Sequence, residues 1–408
     1  MASVVVFVSL LAAASDGHPN DDADARPPCF SLPQHFEPSA WRGDWVLDRQ
    51  ATDAFFAPDC PFYRESGKYN GDPDQDEHRL AFQPHSCKSS PWSALELRLL
   101  LANRTVMFFG DSVSRDMATN LACALWKATG GQSTLRHNRL PIEDGMEKTV
   151  HPSRCFKFAD AQIVCWLQAA WCKAGGLDVA DNSRFCKETW GRSLGDAIQG
   201  AAGFLGRNDI VVANAGIHFN IDGISDRAHL LAELEGVCTN LGIWDEAERP
   251  LVVWRESAPQ SWATGRFPYD LYMADNNISV FDCEAWPDDW VDVAEPWMSE
   301  YNPYNRFFES ALAECDGVRR LPVWLPSAML GSADRVAARG DCTHYFPSGS
   351  AYSLWNTMLL DLLRSHDGDV ERRRSSESPL PRTRAVRTAM DGSAWPYDPV
   401  NNGWAEVR

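Results

Sequence analysis

The chain is poor in basic residues: 38 Lys and Arg stand against 56 Asp and Glu, for a formal charge of -18. Nucleic acid and anionic membrane surfaces are thereby disfavoured as main partners, because counterion release needs clustered cations. A phosphate-binding loop, a dinucleotide fingerprint, an internal repeat and a metal-ligand cluster are also missing, so no bound cofactor and no metal are expected. The 12 cysteines form no CxxC pair and are not interleaved with His ligands, which favours disulfides over zinc. The apolar run of residues 2–14 is shorter than the roughly 20 residues that span a bilayer and lacks a basic n-region. Its small residues and the polar stretch that follows resemble a secretory signal peptide or a truncated signal anchor, and membrane association is expected only through it.

What the chain does have is bulk. Its 408 residues, 44% hydrophobic and 11% aromatic, are enough for one large α/β domain with an appended lobe. Composition divides it into residues 1–28, a signal or anchor with a polar linker; 29–100, an irregular lobe rich in Cys, Trp, Pro and Asp; 101–365, the main domain; and 366–408, a tail expected to be mostly disordered. The disulfide candidates are Cys29, Cys60, Cys87, Cys123, Cys155, Cys165, Cys172, Cys186, Cys238, Cys283, Cys315 and Cys342. The alternative is a set of buried free thiols. Asn103 and Asn277 head glycosylation sequons, which agrees with entry into the secretory pathway.

From residue 104 onward, short apolar runs alternate with helical stretches. TVMFF, AQIVCWL from Ala161, DIVVANA from Asp209, PLVVWRE from Pro250 and RLPVWLP from Arg320 are nearly continuous in apolar residues, as strands covered on both faces are. Helices are expected at Val113–Ala128, Ser193–Leu205, His229–Leu241, Pro303–Glu314 and Pro347–Leu363, with Pro347 in a first turn where its missing N–H costs nothing. The fold class is α/β: a three-layer αβα sandwich on a central parallel sheet, with the irregular lobe ahead of it.

Three sites on this frame carry chemistry. Gly110, Asp111 and Ser112 sit between the strand TVMFF and the helix that follows. There a Ser hydroxyl is exposed at the C-terminal sheet edge and a helix N-terminus faces a developing oxyanion; equally, Asp111 or Ser112 can simply cap the helix. Asp341 and His344 lie three residues apart in a loop before a helix, a spacing that lets the carboxylate hold Nδ1–H while Nε2 faces Ser112. Asn214, Gly216 and His218 follow the strand from Asp209 and open on the same edge. Asn214 is there either as an oxyanion donor or as part of an Asx turn.

The segments GDSVSRDMATNLAC, VVANAGIHFN, VVWRESAPQSW and DCTHYFPSGSAYSLWNTMLL, in this order, resemble the PC-esterase family of the SGNH/GDSL group. With WRGDWVLD, DCPFY, NGDPD and FQPHSC in the N-terminal lobe, the likeness is to the trichome birefringence-like polysaccharide O-acetyltransferases, over residues 29–365. It implies Ser112 as nucleophile, His344 as base, Asp341 as its orienting acid and Asn214 as an oxyanion or structural contact. It also implies an acetyl donor such as acetyl-CoA, a polysaccharide or other glycan acceptor, and a Golgi or secreted location. Arg115, His218 and Arg255 would contact substrate or brace the site. Two positions depart from the pattern: Lys68 and Tyr69 stand where a cysteine is usual before the NG turn, and Phe346 where one follows the His. The disulfide set is therefore not transferable. Trp254, Trp262, Trp286 and Trp290 either line a glycan cleft or pack the core. The same triad serves a secreted carbohydrate acetylesterase, and the same fold can carry a non-catalytic glycan-binding protein.

Overall fold

The computed structural model describes residues 26–47, 55, 57, 59–65, 80–89, 91–137, 153–169, 193–219, 224–260, 302–330, 342–346, 349–376 and 405–407. The N-terminal lobe contributes β1 (Gly43–Leu47), α1 (Pro61–Glu65), β2 (Leu80–Pro84) and α2 (Ala94–Leu100). The main domain continues with β3 (Thr105–Gly110), α3 (Ser112–Ala128), β4 (Ser133–His137), β5 (Ser153–Phe158), β6 (Ile163–Gln168), α4 (Leu194–Ala201), β7 (Ile210–Ala213) and α5 (Ile224–Asn240). It closes with β8 (Leu251–Arg255), α6 (Pro303–Ala313), β9 (Val318–Leu321), α7 (Trp324–Met329), α8 (Ser350–Ser376) and β10 (Ala405–Val407).

One sheet organises the main domain, in the order β10-β4-β5-β6-β3-β7-β8-β9. The five strands from β6 to β9 run parallel, and β5, β4 and β10 add antiparallel pairings at one edge. β3 is central, and every residue of β3, β6, β7 and β8 is buried. Parallel crossovers require helices on both faces, so these strands are buried along their whole length. Alternation then divides the core in two. Val106, Phe108, Val164, Trp166, Val212 and Val253 face α3 and α8, while Met107, Phe109, Cys165, Leu167, Val211 and Trp254 face α4, α5 and α6. This is the αβα sandwich that the apolar runs point to.

The first of these cores continues into the N-terminal lobe through Trp41, Phe62 and Trp92. The lobe's own regular structure is small: β1 and β2 pair antiparallel, and short helical turns flank them. Covalent ties compensate. Cys29–Cys87 closes the lobe on itself and Cys60–Cys123 fastens it to α3. Cys155–Cys165 bridges β5 and β6, and Cys238–Cys315 joins α5 to the turn after α6. Cys342 is also disulfide-bonded and no described cysteine is free, which sets aside the free-thiol reading for these nine. Cys172, Cys186 and Cys283 lie outside the described residues, as does the apolar run 2–14. No described helix is long and apolar enough to cross a membrane.

Three expectations shift. RLPVWLP splits: β9 ends at Leu321 and α7 starts at Trp324, because Pro322 cannot donate to the ladder and Pro326 sits in the first turn of a helix, where no N–H is needed. The last helix begins at Ser350, with Pro347 outside the described residues, and it runs past residue 365 to Ser376. In the tail, Ala405–Val407 pairs with β4. Capping sets other helix starts. Ser93 and Glu96 form a capping box on α2, and Ser193 Oγ accepts from the Asp196 N–H at the start of α4.

Glu233 of α5 accepts from the Leu194 N–H and is 7% exposed. Burial pushes its carboxyl from 4.5 up to about 7; the Leu194 N–H acts against this, and the Asp196 charge adds to it. Between those values the folded protein holds a proton that the unfolded chain has released, so stability falls as pH rises from 4.5 through about 7. Glu233→Gln is expected to remove about 3 kcal/mol of that decline when urea unfolding is compared at about pH 5 and pH 8. An unchanged pH slope in the variant would refute it.

Candidate active site

β3 delivers the GDS segment to the middle of the sheet's C-terminal edge. Gly110 turns the chain at φ +153, and a Cβ there would meet Ser114 Oγ at 2.5 Å, so both conformation and space call for glycine. Asp111 is the N-cap of α3: its Oδ1 accepts from the N–H groups of Val113 at 2.9 Å and Ser114 at 3.2 Å. The helix-cap reading of this motif is thus the geometry of Asp111. Ser112, next in line, is the first helical residue. It is 5% exposed, and its backbone N–H donates to nothing among the described residues.

The partner of its hydroxyl comes from 232 residues downstream: His344 Nε2 lies 2.6 Å from Ser112 Oγ. The segment carrying His344 is held on both sides. Cys342 is disulfide-bonded and Thr343 Oγ1 donates to Gln260 Oε1 at 2.8 Å. Tyr345 is buried, edge-on to Tyr352 and Trp355 of α8. A ring fixed by packing keeps its reach to Ser112 without losing rotamer freedom each time the contact forms. Asp341 lies outside the described residues.

Beneath Ser112 lies Arg255, the last residue of β8 and 0% exposed. Its Nη2 donates to Ser114 Oγ at 3.1 Å and stands 3.8 Å from Asp111 Oδ1, and its Nη1 donates to the Glu256 carbonyl at 2.8 Å. The guanidinium lies 5.2 Å from the Trp355 ring centroid. Burial pulls its pKa below the ordinary arginine value, against the charges of Asp111, Tyr352 and Glu256. Arg255 therefore braces the turn at Asp111. Next to it Glu256, pushed up by burial and held down by Arg320 and the Trp324 N–H, anchors the start of α7. Arg115 pairs with Asp116 at 2.8 Å, one residue along α3.

Asn214 follows β7, on the other side of β3 from β6. Its Nδ2 donates to the Arg255 carbonyl at 2.9 Å and reaches Ser257 Oγ at 3.4 Å, so the side chain ties the ends of β7 and β8 together. Gly216, at φ +152, lies against Ser257 Oγ, which donates to the Ala215 carbonyl at 3.1 Å. Ser257 is itself clamped by Asn305, and Tyr304 holds the Phe219 carbonyl at 2.9 Å. His218, part-buried in this loop, is drawn down to about 4 by burial; the Asp111 carboxylate opposes the shift and charge on His344 reinforces it. His218 thus shares the electrostatic environment of the Ser112–His344 pair. Tyr304 and Asn305 lie in a stretch without any motif, and Gln260, though inside the VVWRESAPQSW segment, had no signal of its own to single it out.

Trp254 packs edge-on against Phe308 in the core, while Trp262, Trp286 and Trp290 lie outside the described residues. Asn103 is exposed at φ +56 between α2 and β3, and Asn277 lies outside the described residues.

No family model matches the chain. Among curated proteins it is similar to probable xylan O-acetyltransferase 11 of Oryza sativa subsp. japonica, 29% identical over 91 residues, or 22% of this chain and 23% of that protein. It is similar to protein trichome birefringence-like 41 of Arabidopsis thaliana, 35% identical over 85 residues, or 20% of this chain and 24% of that protein. With protein trichome birefringence-like 31 of the same plant it shares 30% identity over 87 residues, or 21% of each chain. The chain thus spans about a fifth to a quarter of the length of these relatives.

Proposed function

We propose that the chain is a polysaccharide O-acetyltransferase working through an acetyl-serine intermediate on Ser112, a reading supported by its local similarity to trichome birefringence-like proteins. The observation that carries the reading is the 2.6 Å approach of His344 Nε2 to Ser112 Oγ, at the edge of a parallel sheet and at a helix N-terminus. In the first half-reaction Ser112 Oγ attacks the carbonyl carbon of an acetyl donor such as acetyl-CoA while its proton passes to His344 Nε2. The donor's leaving group departs with that proton. In the second, His344 takes the proton of a sugar hydroxyl, the sugar oxygen attacks the acetyl-serine, and the proton returns to Ser112 as the ester moves to the sugar.

Asp341 is assigned the Nδ1–H of His344, three residues along the chain. The uncommitted Ser112 N–H, reinforced by the helix dipole, is assigned the oxyanion. Asn214 supports that region by holding β7 to β8. Five disulfide-bonded regions favour an oxidising compartment, the secretory lumen or the outside of the cell. The acceptor is assigned as a glycan because the similar proteins include a probable xylan O-acetyltransferase.

Mass spectrometry of xylan, mannan, pectin and algal oligosaccharides incubated with the protein and an acetyl donor tests this. A gain of one acetyl group on at least one acceptor, dependent on donor, is expected. Free acetate released as fast as any transfer identifies an acetylesterase instead, because the two activities share the triad and differ in how the cleft treats water.

A further inference from the structure

Gln168 ends β6 and sits in register opposite Gly110 on β3. It is 3% exposed, and its buried side-chain Nε2 has no hydrogen-bond partner among the described residues. Alternation along β6 puts Gln168 on the same sheet face as Trp166, whose Nε1 already reaches the Asp111 carbonyl at 3.1 Å. One pleat nearer the C-terminal edge, Gln168 therefore lies beside the Asp111–Ser112 turn. A buried amide without a partner destabilises the folded state, whereas methionine would fill the same space at no such cost. Among the described residues nothing accepts from this amide.

We propose that Gln168 is a substrate contact: its amide N–H hydrogen-bonds the carbonyl oxygen of the acyl group and strengthens as that oxygen becomes the tetrahedral oxyanion. The assignment rests on the Ser112–His344 reading above. A carbonyl oxygen fits better than a sugar hydroxyl for two reasons. The orphaned group is a donor, and a carbonyl oxygen is purely an acceptor. Gln168 and Ser112 are both nearly fully buried, so a two-carbon acyl group reaches between them far more readily than a pyranose ring. The Ser112 N–H and the Gln168 amide then approach one oxygen from two adjacent strand ends, which is how developing negative charge is best held in a dry site.

The test is hydrolysis of p-nitrophenyl acetate by wild type, Gln168→Met, Gln168→Glu and Ser112→Ala, with thermal unfolding of each. Gln168→Met is expected to lower kcat about 100-fold with little change in KM, since the contact tightens in the transition state. Its Tm should stay level or rise, because no protein hydrogen bond is lost. Gln168→Glu should be slower still near neutral pH, where a carboxylate opposes the oxyanion. A Gln168→Met protein with wild-type kcat, or one whose activity falls only in step with folded protein, overturns the inference while an inactive Ser112→Ala preserves the site. Wild-type protein without Ser112-dependent hydrolysis overturns both.

Discussion

Ser112→Ala should reduce acyl transfer and ester hydrolysis by about 10⁴-fold or more, and His344→Ala should do nearly the same, since nucleophile and base act as one unit. The double variant is then expected to be scarcely worse than either single one. Stability serves as the control. The hydrogen bond joining the two side chains is a single contact at a part-buried edge, so its loss should change unfolding free energy by no more than about 1 kcal/mol. A fluorophosphonate should label wild type on the peptide containing Ser112 and fail to label the variant. Residual turnover within tenfold of wild type, or labelling elsewhere, would remove Ser112 from the chemistry. Additive losses in the double variant would show that the 2.6 Å approach does not reflect a shared proton.

Much of this frame was legible in the chain because burial on both faces leaves a plain trace. The runs at TVMFF, AQIVCWL, DIVVANA and PLVVWRE became β3, β6, β7 and β8, all of them inside the sheet. β4 and β5 left no such trace. STLRH and SRCFKF mix polar and apolar residues and lie towards the antiparallel edge, where pairing rather than composition makes the strand. RLPVWLP misled because a proline between two apolar stretches reads as a continuous core strand until the backbone needs an N–H that Pro322 lacks. In the site, motif order pointed to Ser112 and His344, and the structure places them together. It could not assign Arg255 between substrate contact and brace, since that depends on where β8 ends relative to α3. Nor could it flag Gln168, whose distinction is a missing partner and not a residue type.

The cap on α3 also explains how one turn separates two duties. Asp111 Oδ1 takes the N–H groups of Val113 and Ser114. The helix therefore starts in a defined place without using the Ser112 N–H. A Ser at the cap itself would point its hydroxyl at its own helix, as Ser93 and Ser193 do. Shifting the cap one residue upstream leaves the Ser112 hydroxyl to His344.

Arg255→Met should cost about 3–5 kcal/mol in urea unfolding, a large part of the 5–15 kcal/mol typical of a folded protein. The magnitude follows from what remains. Asp111 is 2% exposed and would keep its carboxylate with the nearest cation gone, and the Glu256 carbonyl and Ser114 hydroxyl would lose their donor. Arg255→Lys should recover little, because one ammonium cannot hold Ser114 and the Glu256 carbonyl at once while lying over Trp355. Which of these contacts dominates can be separated. The carboxylate lies 3.8 Å away, longer than either hydrogen bond, so a cycle with Asp111→Asn should show a coupling of only about 1–2 kcal/mol, the rest belonging to the two donors' partners. Activity should fall further than stability at temperatures where Arg255→Met stays folded, because the turn that aims Ser112 at His344 loses its support. Wild-type unfolding midpoints for Arg255→Met would show that this cation carries no structural weight, and the brace would have to be sought elsewhere beneath the turn.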